Sequence, residues 1–391
     1  MDIVITPSKL NGCIKAIPSK SMAHRILICA AFADAETKIL CAETNQDIEA
    51  TARCLRALGA DIQRTEGGYL VCPITHFPET ADLYCGESGS TLRFLLPVAG
   101  AMGVSTTFHM EGRLSQRPLS PLWEEMERMG CVLNRPTCDT IACQGKLMPG
   151  EYVISGSVSS QYITGLLFAS ALIPGKCTLT ITGKVESAPY IALTNKVLDI
   201  FCADQGTPFK SPKVIAVEGD WSNAAFFITA NALGNPVQMR GLDMSSVQGD
   251  RAVLSLMDVL RQPVHLDCAD IPDLVPILAV YAACNEGATF TNISRLRLKE
   301  SDRVATVAQM LENLGCHTHS TENTLQVFPA QFRSCTIDAA NDHRIAMAAA
   351  IAATKATGTV TILGAQCVQK SYPTFWDEYR KLGGQYEQYI R

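Results

Sequence analysis

With 391 residues, 47% of them apolar and only 18% charged, the chain can bury more than one core and is not a disordered segment. Its formal net charge of −5 argues against nucleic acid as a partner, so any anion it holds must be caught by local clusters of cations. No apolar run reaches the roughly 18 residues of a membrane span, and the first residues lack a signal-peptide layout, so no membrane association and a cytoplasmic location are expected.

One phrase recurs along the chain: an amphipathic helix, often ending in Leu-Gly or Met-Gly, followed by a short strand. It reads LRALGADIQ (55–63), MERMGCVLN (126–134), VLDIFCADQ (197–205), MDVLRQPVHL (257–266), LENLGCHTH (311–319) and YRKLGGQYE (379–387). Six weak copies of one α/β unit is the economical reading. Between them lie helices of another kind: ILICAAFA (26–33), LRFLLPVAGAM (92–102), ITGLLFASALI (163–173), AAFFITANAL (224–233), LVPILAVYAA (274–283) and IAMAAAIAA (345–353). These are apolar nearly all round, which requires burial on every side, and they are too short to cross a bilayer. Helical cores with sheets outside are expected, the inverse of a doubly wound fold.

The sixteen cysteines suggest metal at first sight, yet no two stand at C-x-x-C spacing. Most lie inside apolar runs, where cysteine behaves as a small hydrophobe. No metal site is expected.

Small, polar or charged residues precede each apolar helix: PSKSMAHR (18–25), GESGST (86–91), SGSVSSQ (155–161), GDWSN (219–223), DIPD (270–273) and NDHR (341–344). They can serve as ordinary caps, or the free N–H groups of the helix starts can hold anions. SVSSQ lacks the Walker A pattern and GESGST lacks G-x-G-x-x-G, so neither a nucleoside triphosphate nor NAD is implied. Lys20, Arg25, Arg93, Arg117, Lys299, Arg303, Arg344 and Lys370 all stand at or beside these turns, which suits a ligand with more than one anionic group. Asp273 and Glu300 are the nearest carboxylates, placed either to move protons or to form salt bridges.

The stretch RLRLKESDR (295–303) gathers these features. Arg295, Arg297 and Lys299 alternate with Leu296 and Leu298, which predicts a strand with its cations on one face. Ser301 or Asp302 would then cap a helix carrying Val304, Val307, Ala308, Leu311 and Leu314, stopped by Gly315. Arg303 falls in the first turn, where positive charge opposes the helix dipole unless something anionic offsets it.

In their order, PSKSMAHR, GESGSTLR, RLSQRP, GSVSSQYITGLL, IPD (271–273), RLRLKESDR, NDHRIAMA and VQKSYPTF resemble the signatures of the EPSP synthase family, from residue 18 to residue 376. That resemblance implies a two-domain inside-out α/β barrel of six βαβαββ repeats, with buried helices and outer sheets. One domain would be 19–218, binding shikimate 3-phosphate. Residues 1–18 with 219–391 would form the other, and the active site would lie in the cleft between them. It implies transfer of the enolpyruvyl group of phosphoenolpyruvate to the 5-hydroxyl of shikimate 3-phosphate, through a tetrahedral intermediate, by a monomer that needs no cofactor. Carried over by motif, Lys20, Ser21, Arg25, Ser159, Ser160, Gln161, Ser187, Tyr190, Asp273 and Lys299 would hold shikimate 3-phosphate. Lys20, Gly89, Ser90, Arg117, Gln161, Arg303, Arg344 and Lys370 would hold phosphoenolpyruvate. Lys20, Asp273 and Glu300 would be catalytic, Asp273 as the base on the 5-hydroxyl and Glu300 as the proton donor to the methylene carbon. The retained Gly89 implies competitive inhibition by glyphosate.

The chain departs from the family pattern at Glu87, where an asparagine is usual, at Arg295 and at Ala188. Glu87 puts negative charge beside an anionic ligand, unless it points away or pairs with Arg93. The sister transferase acting on UDP-N-acetylglucosamine usually carries a cysteine before its Arg-Pro and an asparagine after the first lysine. Here EGRLSQRP (111–118) has no cysteine and Ser21 follows Lys20. A non-catalytic anion-binding protein on this scaffold would be expected to lose Lys20, Asp273 or Glu300, and all three are present.

Overall fold

Six helices of the chain have apolar residues on every side, and packing follows from that. The computed structural model describes residues 1–203 and 209–389. The chain divides into two compact units, Pro18–Glu218 and Met1–Ile17 with Gly219–Arg391. The first contains helices α1 (Lys20–Ala31), α2 (Gln46–Ala57), α3 (Gly89–Met102), α4 (Leu122–Arg128), α5 (Ser160–Leu172) and α6 (Ala188–Ile200). The second contains α7 (Trp221–Ala232), α8 (Val253–Val259), α9 (Val275–Ala283), α10 (Arg303–Asn313), α11 (His343–Ala353) and α12 (Phe375–Lys381). The odd-numbered α1, α3, α5, α7, α9 and α11 are the apolar ones except for α1's first turn, and nearly every residue of α9 and α11 is fully buried. The even-numbered helices bury one face, such as Val304, Val307 and Leu311 of α10.

Each unit has three sheets. In the first, one sheet runs in the order Val214–Ala216, Thr37–Leu40, Gly68–Cys72, Asp61–Thr65, and another Thr80–Gly86, Ser105–Met110, Thr140–Gly145, Cys131–Asn134. In the second, the orders are Val264–Asp267, Ala288–Thr291, Thr324–Val327, Thr318–Ser320 and Cys335–Asp338, Val360–Leu363, Asp2–Thr6, Gln385–Tyr389. All four share one pairing pattern, a parallel pair followed by two antiparallel ones. The third sheet of each unit is only the parallel pair: Glu151–Ser155 with Thr178–Thr182, and Val237–Arg240 with Gly12–Lys15. Strand burial alternates, as in Thr106, Phe108 and Met110 inward, so each sheet turns one face to the helices.

The reason one sheet in each unit is only a pair is visible at the helix ends. After α2, α4, α10 and α12 the chain reverses through Gly59, Gly130, Gly315 and Gly383, all at positive φ, and a strand that pairs antiparallel follows. The phrase at 257–266 has Arg261-Gln262 where the glycine would stand, and its strand, Val264–Asp267, joins the next parallel pair instead. The phrase at 197–205 also lacks the glycine, and its last two residues lie outside the described ones. Among the described residues no helix is long and apolar enough to cross a membrane.

The predicted strand at RLRLKESDR is not there. Ser294–Leu298 is a 3-10 turn, entered through Asn292 at φ 57° with the Ser294 amide bound to the Asn323 side chain. Only Leu296 is buried, while Leu298 is 46% exposed. Two leucines two residues apart fit a strand or a turn equally well, and a local backbone reversal decided it.

Helices α3 and α5 approach so closely that a Cβ on Gly165 would fall 2.2 Å from the Arg93 carbonyl oxygen. Backbone cannot yield as a side chain can. Gly165→Ala should therefore lower stability by about 1–3 kcal/mol through forced separation of the two helices. A urea midpoint equal to wild type would show that the pair has slack.

Candidate active site

In the second unit the site is built around Arg303, the first residue of α10, whose side chain is 1% exposed. Asp302 caps this helix by accepting the Ala305 amide, so Arg303 is fixed at a helix start with its guanidinium inside the protein. Its three nitrogens are divided among three carboxylates. Nε donates to Asp342 Oδ2 at 2.8 Å, Nη1 to Asp273 Oδ1 at 2.7 Å and Nη2 to Glu300 Oε2 at 2.7 Å. Burial alone would pull the arginine's pKa down. The charges of Asp342, Glu300 and Asp273 outweigh it and push the pKa up. The anion that offsets the unfavourable dipole placement is thus supplied by the protein's own carboxylates.

Asp342 is completely buried and also caps α11, accepting the Arg344 amide at 3.0 Å. Ala340 and Asn341 before it both adopt left-handed backbone, a strained approach that turns the Asn341 carbonyl to Lys370 Nζ at 2.8 Å. Asp273 lies in the 3-10 turn Pro272–Leu274 ahead of α9. Besides Arg303 it meets Arg344 Nη2 at 3.2 Å and Lys299 Nζ at 3.6 Å. Asp273 and Glu300 remain partly open, at 17% and 20%, whereas their anchor is sealed. Two reachable carboxylates are therefore held on one rigid, buried cation. Of the expected residues, Asp273, Lys299, Glu300, Arg303 and Arg344 converge here by direct contact, and Lys370 by way of the turn before α11. Arg297 pairs with Asp302 at 2.9 Å and Arg295 donates to the Ala269 carbonyl at 2.8 Å.

The first unit gathers the rest at the starts of its buried helices, and there the caps are serines. Ser19, Ser88 and Ser159 accept the amides of Met22, Thr91 and Gln161. Arg25, 2% exposed, is held only by neutral oxygens among the described residues. Its Nε donates to Thr194 at 2.9 Å, Nη1 to the Ser21 carbonyl at 2.7 Å, and Nη2 to Thr164 at 3.2 Å and the Tyr190 carbonyl at 3.0 Å. Burial lowers its pKa to about 10, so it remains charged at neutral pH. Arg93 Nη1 donates to Gln161 Oε1 at 3.0 Å, and Gln161 Nε2 to Ser90 at 3.0 Å, tying α3 to α5. Gly89 lies under two guanidiniums, since a Cβ there would stand 2.5 Å from Arg93 Nη1 and 2.8 Å from Arg117 Nη1. Lys20, which opens α1, pairs with Asp47 at 2.8 Å. Ser160 is buried in the first turn of α5, and Ser187 enters α6 at φ 57°, a strained position for a serine. The Glu87 carboxyl packs against Gly112, where a Cβ would fall within 2.7 Å of it.

Sequence reasoning missed Asp342, Asp47 and the Ser222–Asp250 pair. Asp342 had a signal, as the one carboxylate in the cap position before an apolar helix that begins His-Arg. The others show themselves only by position in space.

The inverted α/β fold is also found in solved structures of transferases. The chain superposes on the EPSP synthase of Acinetobacter baumannii with a TM-score of 0.80, at 22% identity and covering 99% and 100% of the two chains. It superposes on the enolpyruvyl transferase NikO of Streptomyces tendae with a TM-score of 0.79, at 17% identity over 99% and 98%. The model of the EPSP synthase (3-phosphoshikimate 1-carboxyvinyltransferase) family matches residues 4–379, and the chain belongs to that family. It is 34% identical to the 3-phosphoshikimate 1-carboxyvinyltransferase of Clostridium kluyveri, over 99% of this chain and 98% of the relative. Against that of Clostridium acetobutylicum it is 34% identical over 98% and 97%.

Asp342→Asn keeps a good helix cap but removes one of the three charges on Arg303. A loss of about 3 kcal/mol is expected, the lower end for breaking a buried ion pair because two carboxylates remain. Chemical denaturation checks this, and an unchanged midpoint would show that the third charge is dispensable.

Proposed function

We propose that the protein transfers the enolpyruvyl group of phosphoenolpyruvate to the 5-hydroxyl of shikimate 3-phosphate and releases phosphate. The observation that carries this reading is the pair of reachable carboxylates, Asp273 and Glu300, fixed on buried Arg303 in a chain of this family. The first unit's charges suit the phosphorylated sugar: Arg25 with only neutral partners, beside the serine-capped helix starts that carry Ser159, Ser160 and Gln161. Lys20, Ser21, Ser187, Tyr190 and Lys299 complete that set by resemblance. Arg117, Arg303, Arg344 and Lys370, with Gly89 and Ser90, are assigned to phosphoenolpyruvate.

In the addition step Asp273, aided by Lys20, takes the proton of the 5-hydroxyl as its oxygen bonds to C2 of phosphoenolpyruvate. Glu300, which must enter this step in its protonated form, gives that proton to C3, and a tetrahedral intermediate results. In the elimination Glu300 recovers a proton from C3, the C–O bond to phosphate breaks, and Asp273 returns its proton to the leaving oxygen. Three cations, Arg303, Arg344 and Lys299, surround the Asp273 carboxylate. The reading carries with it a cytoplasmic monomer acting on two small anions.

The deciding measurement is phosphate release from phosphoenolpyruvate with shikimate 3-phosphate or UDP-N-acetylglucosamine as acceptor. Turnover is expected with the first alone, and folded protein inactive on it would end the proposal. Asp273→Asn and Glu300→Gln should each lower kcat by about 10²-fold or more while substrates still bind. Near-normal kcat in either would assign the proton to another group. Gly89→Ala should fold normally, because only flexible guanidinium tips must move, yet raise the KM for phosphoenolpyruvate by roughly tenfold, equal to ~1.4 kcal/mol. An unchanged KM would separate those two arginines from that substrate.

A further inference from the structure

Asp250 takes no part in the reaction just described, and it is connected to it. It sits in the 3-10 turn Gly249–Ala252 that leads into α8 and is 3% exposed. Ser222, in the first turn of α7, stands between it and the site. Ser222 Oγ hydrogen-bonds Asp250 Oδ2 and also meets Arg344 Nη2 at 2.9 Å. The direction of this chain is forced. A guanidinium can only donate, so the Ser222 oxygen accepts from Arg344 and its single hydrogen goes to Asp250. Arg344 then reaches Asp273 through Oδ2 at 3.2 Å and its carbonyl at 3.1 Å. The other oxygen of Asp250, Oδ1, is buried without a hydrogen-bond partner among the described residues.

We propose that Asp250, acting through Ser222, is a positioning residue that aims the Arg344 guanidinium and sets how much of its positive charge an anionic co-substrate meets. This rests on the assignment of Arg344 to phosphoenolpyruvate. The orphaned Oδ1 gives the device two states with one geometry. With Asp250 ionised, the carboxylate draws on the charge of Arg344 through the serine. With a proton on Oδ1, Oδ2 still accepts from Ser222, so Arg344 stays in place but its charge is left for the ligand. Burial, with Asp273 and then Asp220 adding to it and Arg344 and the Ser222 bond opposing, pushes the Asp250 carboxyl up to about 7. These are the charged groups that face it: Asp273 ahead of α9, Arg344 on α11 and Asp220 at the cap of α7. An anion bound at Arg344 favours the protonated state in turn, so binding takes up protons near neutral pH.

Steady-state kinetics with phosphoenolpyruvate and shikimate 3-phosphate test this on wild type, Ser222→Ala, Asp250→Leu and Asp250→Asn, each checked for folding by thermal melt. Ser222→Ala and Asp250→Leu should raise the KM for phosphoenolpyruvate about tenfold, with kcat and the other KM within about threefold. Their double variant should be no worse than Ser222→Ala alone, because both cut one chain. Asp250→Asn, which keeps an acceptor for Ser222, should retain a low KM. It should lose the extra tightening that wild type gains as pH falls through about 7. The ratio of the two enzymes cancels the titration of the substrate itself. If Asp250→Leu does not fold, Ser222→Ala decides, since it removes a single hydroxyl. No turnover by folded wild type would overturn the functional reading and this inference together. Turnover by wild type with an unchanged KM in Ser222→Ala would overturn the inference alone. So would additive losses in the double variant, or equal losses in kcat and both KM values, which a merely structural role would give.

Discussion

A guanidinium taken out of water must find negative charge or pay heavily for its absence, and Arg303 finds three carboxylates at once. Each comes from a different turn: Asp342 from the cap of α11, Asp273 from the approach to α9, and Glu300 from the loop entering α10. One side chain therefore fixes the relative positions of three helix starts. Neither Asp273 nor Glu300 could hold its orientation at the surface by itself, because exposed ion pairs are weak and mobile. Anchored on a sealed cation, both become rigid while still open to a substrate.

The two units treat the same problem in opposite ways. Every buried helix has a polarised N-terminus whose free amides need acceptors. In the first unit the caps of α1, α3 and α5 are all serine, neutral, and the nearby cations Arg25 and Arg93 are met largely by hydroxyls, carbonyls and an amide. In the second, α7 and α11 are capped by Asp220 and Asp342, and Asp273 precedes α9. The contacts show that the helix starts within each unit adjoin: Arg25 of α1 reaches Thr164 of α5, Gln161 of α5 reaches Ser90 of α3, and Arg344 of α11 reaches Ser222 of α7. One set of starts is capped by neutral serines and the other by carboxylates.

Much of this could be read from the residues, and the exceptions have physical causes. Helices apolar on every side announced their burial, because no other placement satisfies them. The Leu-Gly and Met-Gly ends announced the turn into a strand that pairs antiparallel, and the phrase at 257–266, which lacks that glycine, leads into a strand paired in parallel. The stretch 295–299 was misread as a strand because a run of five residues has too few apolar positions to separate period two from a 3-10 turn. The cations of the site were legible, since they stand in chain order beside helix starts. Their partners were not. Asp47 meets Lys20 across 27 residues, and Ser222 meets Arg344 across 122, distances in sequence over which no local pattern operates.

Arg25 shows what the neutral caps accomplish. Its four partners satisfy the geometry of its donors and none of its charge. Hydrogen bonds to hydroxyls and carbonyls recover part of the desolvation cost but leave the net charge in place. The guanidinium also lies 5.0 Å over the Phe94 ring, whose face offers weak negative potential and no competing anion. A carboxylate in place of Thr164 or Thr194 would hold Arg25 more firmly and would also cancel its charge. Neutral groups thus fix the geometry of this arginine without cancelling its charge. Arg303 is the opposite case, a buried cation whose charge is met by three carboxylates that it holds in place.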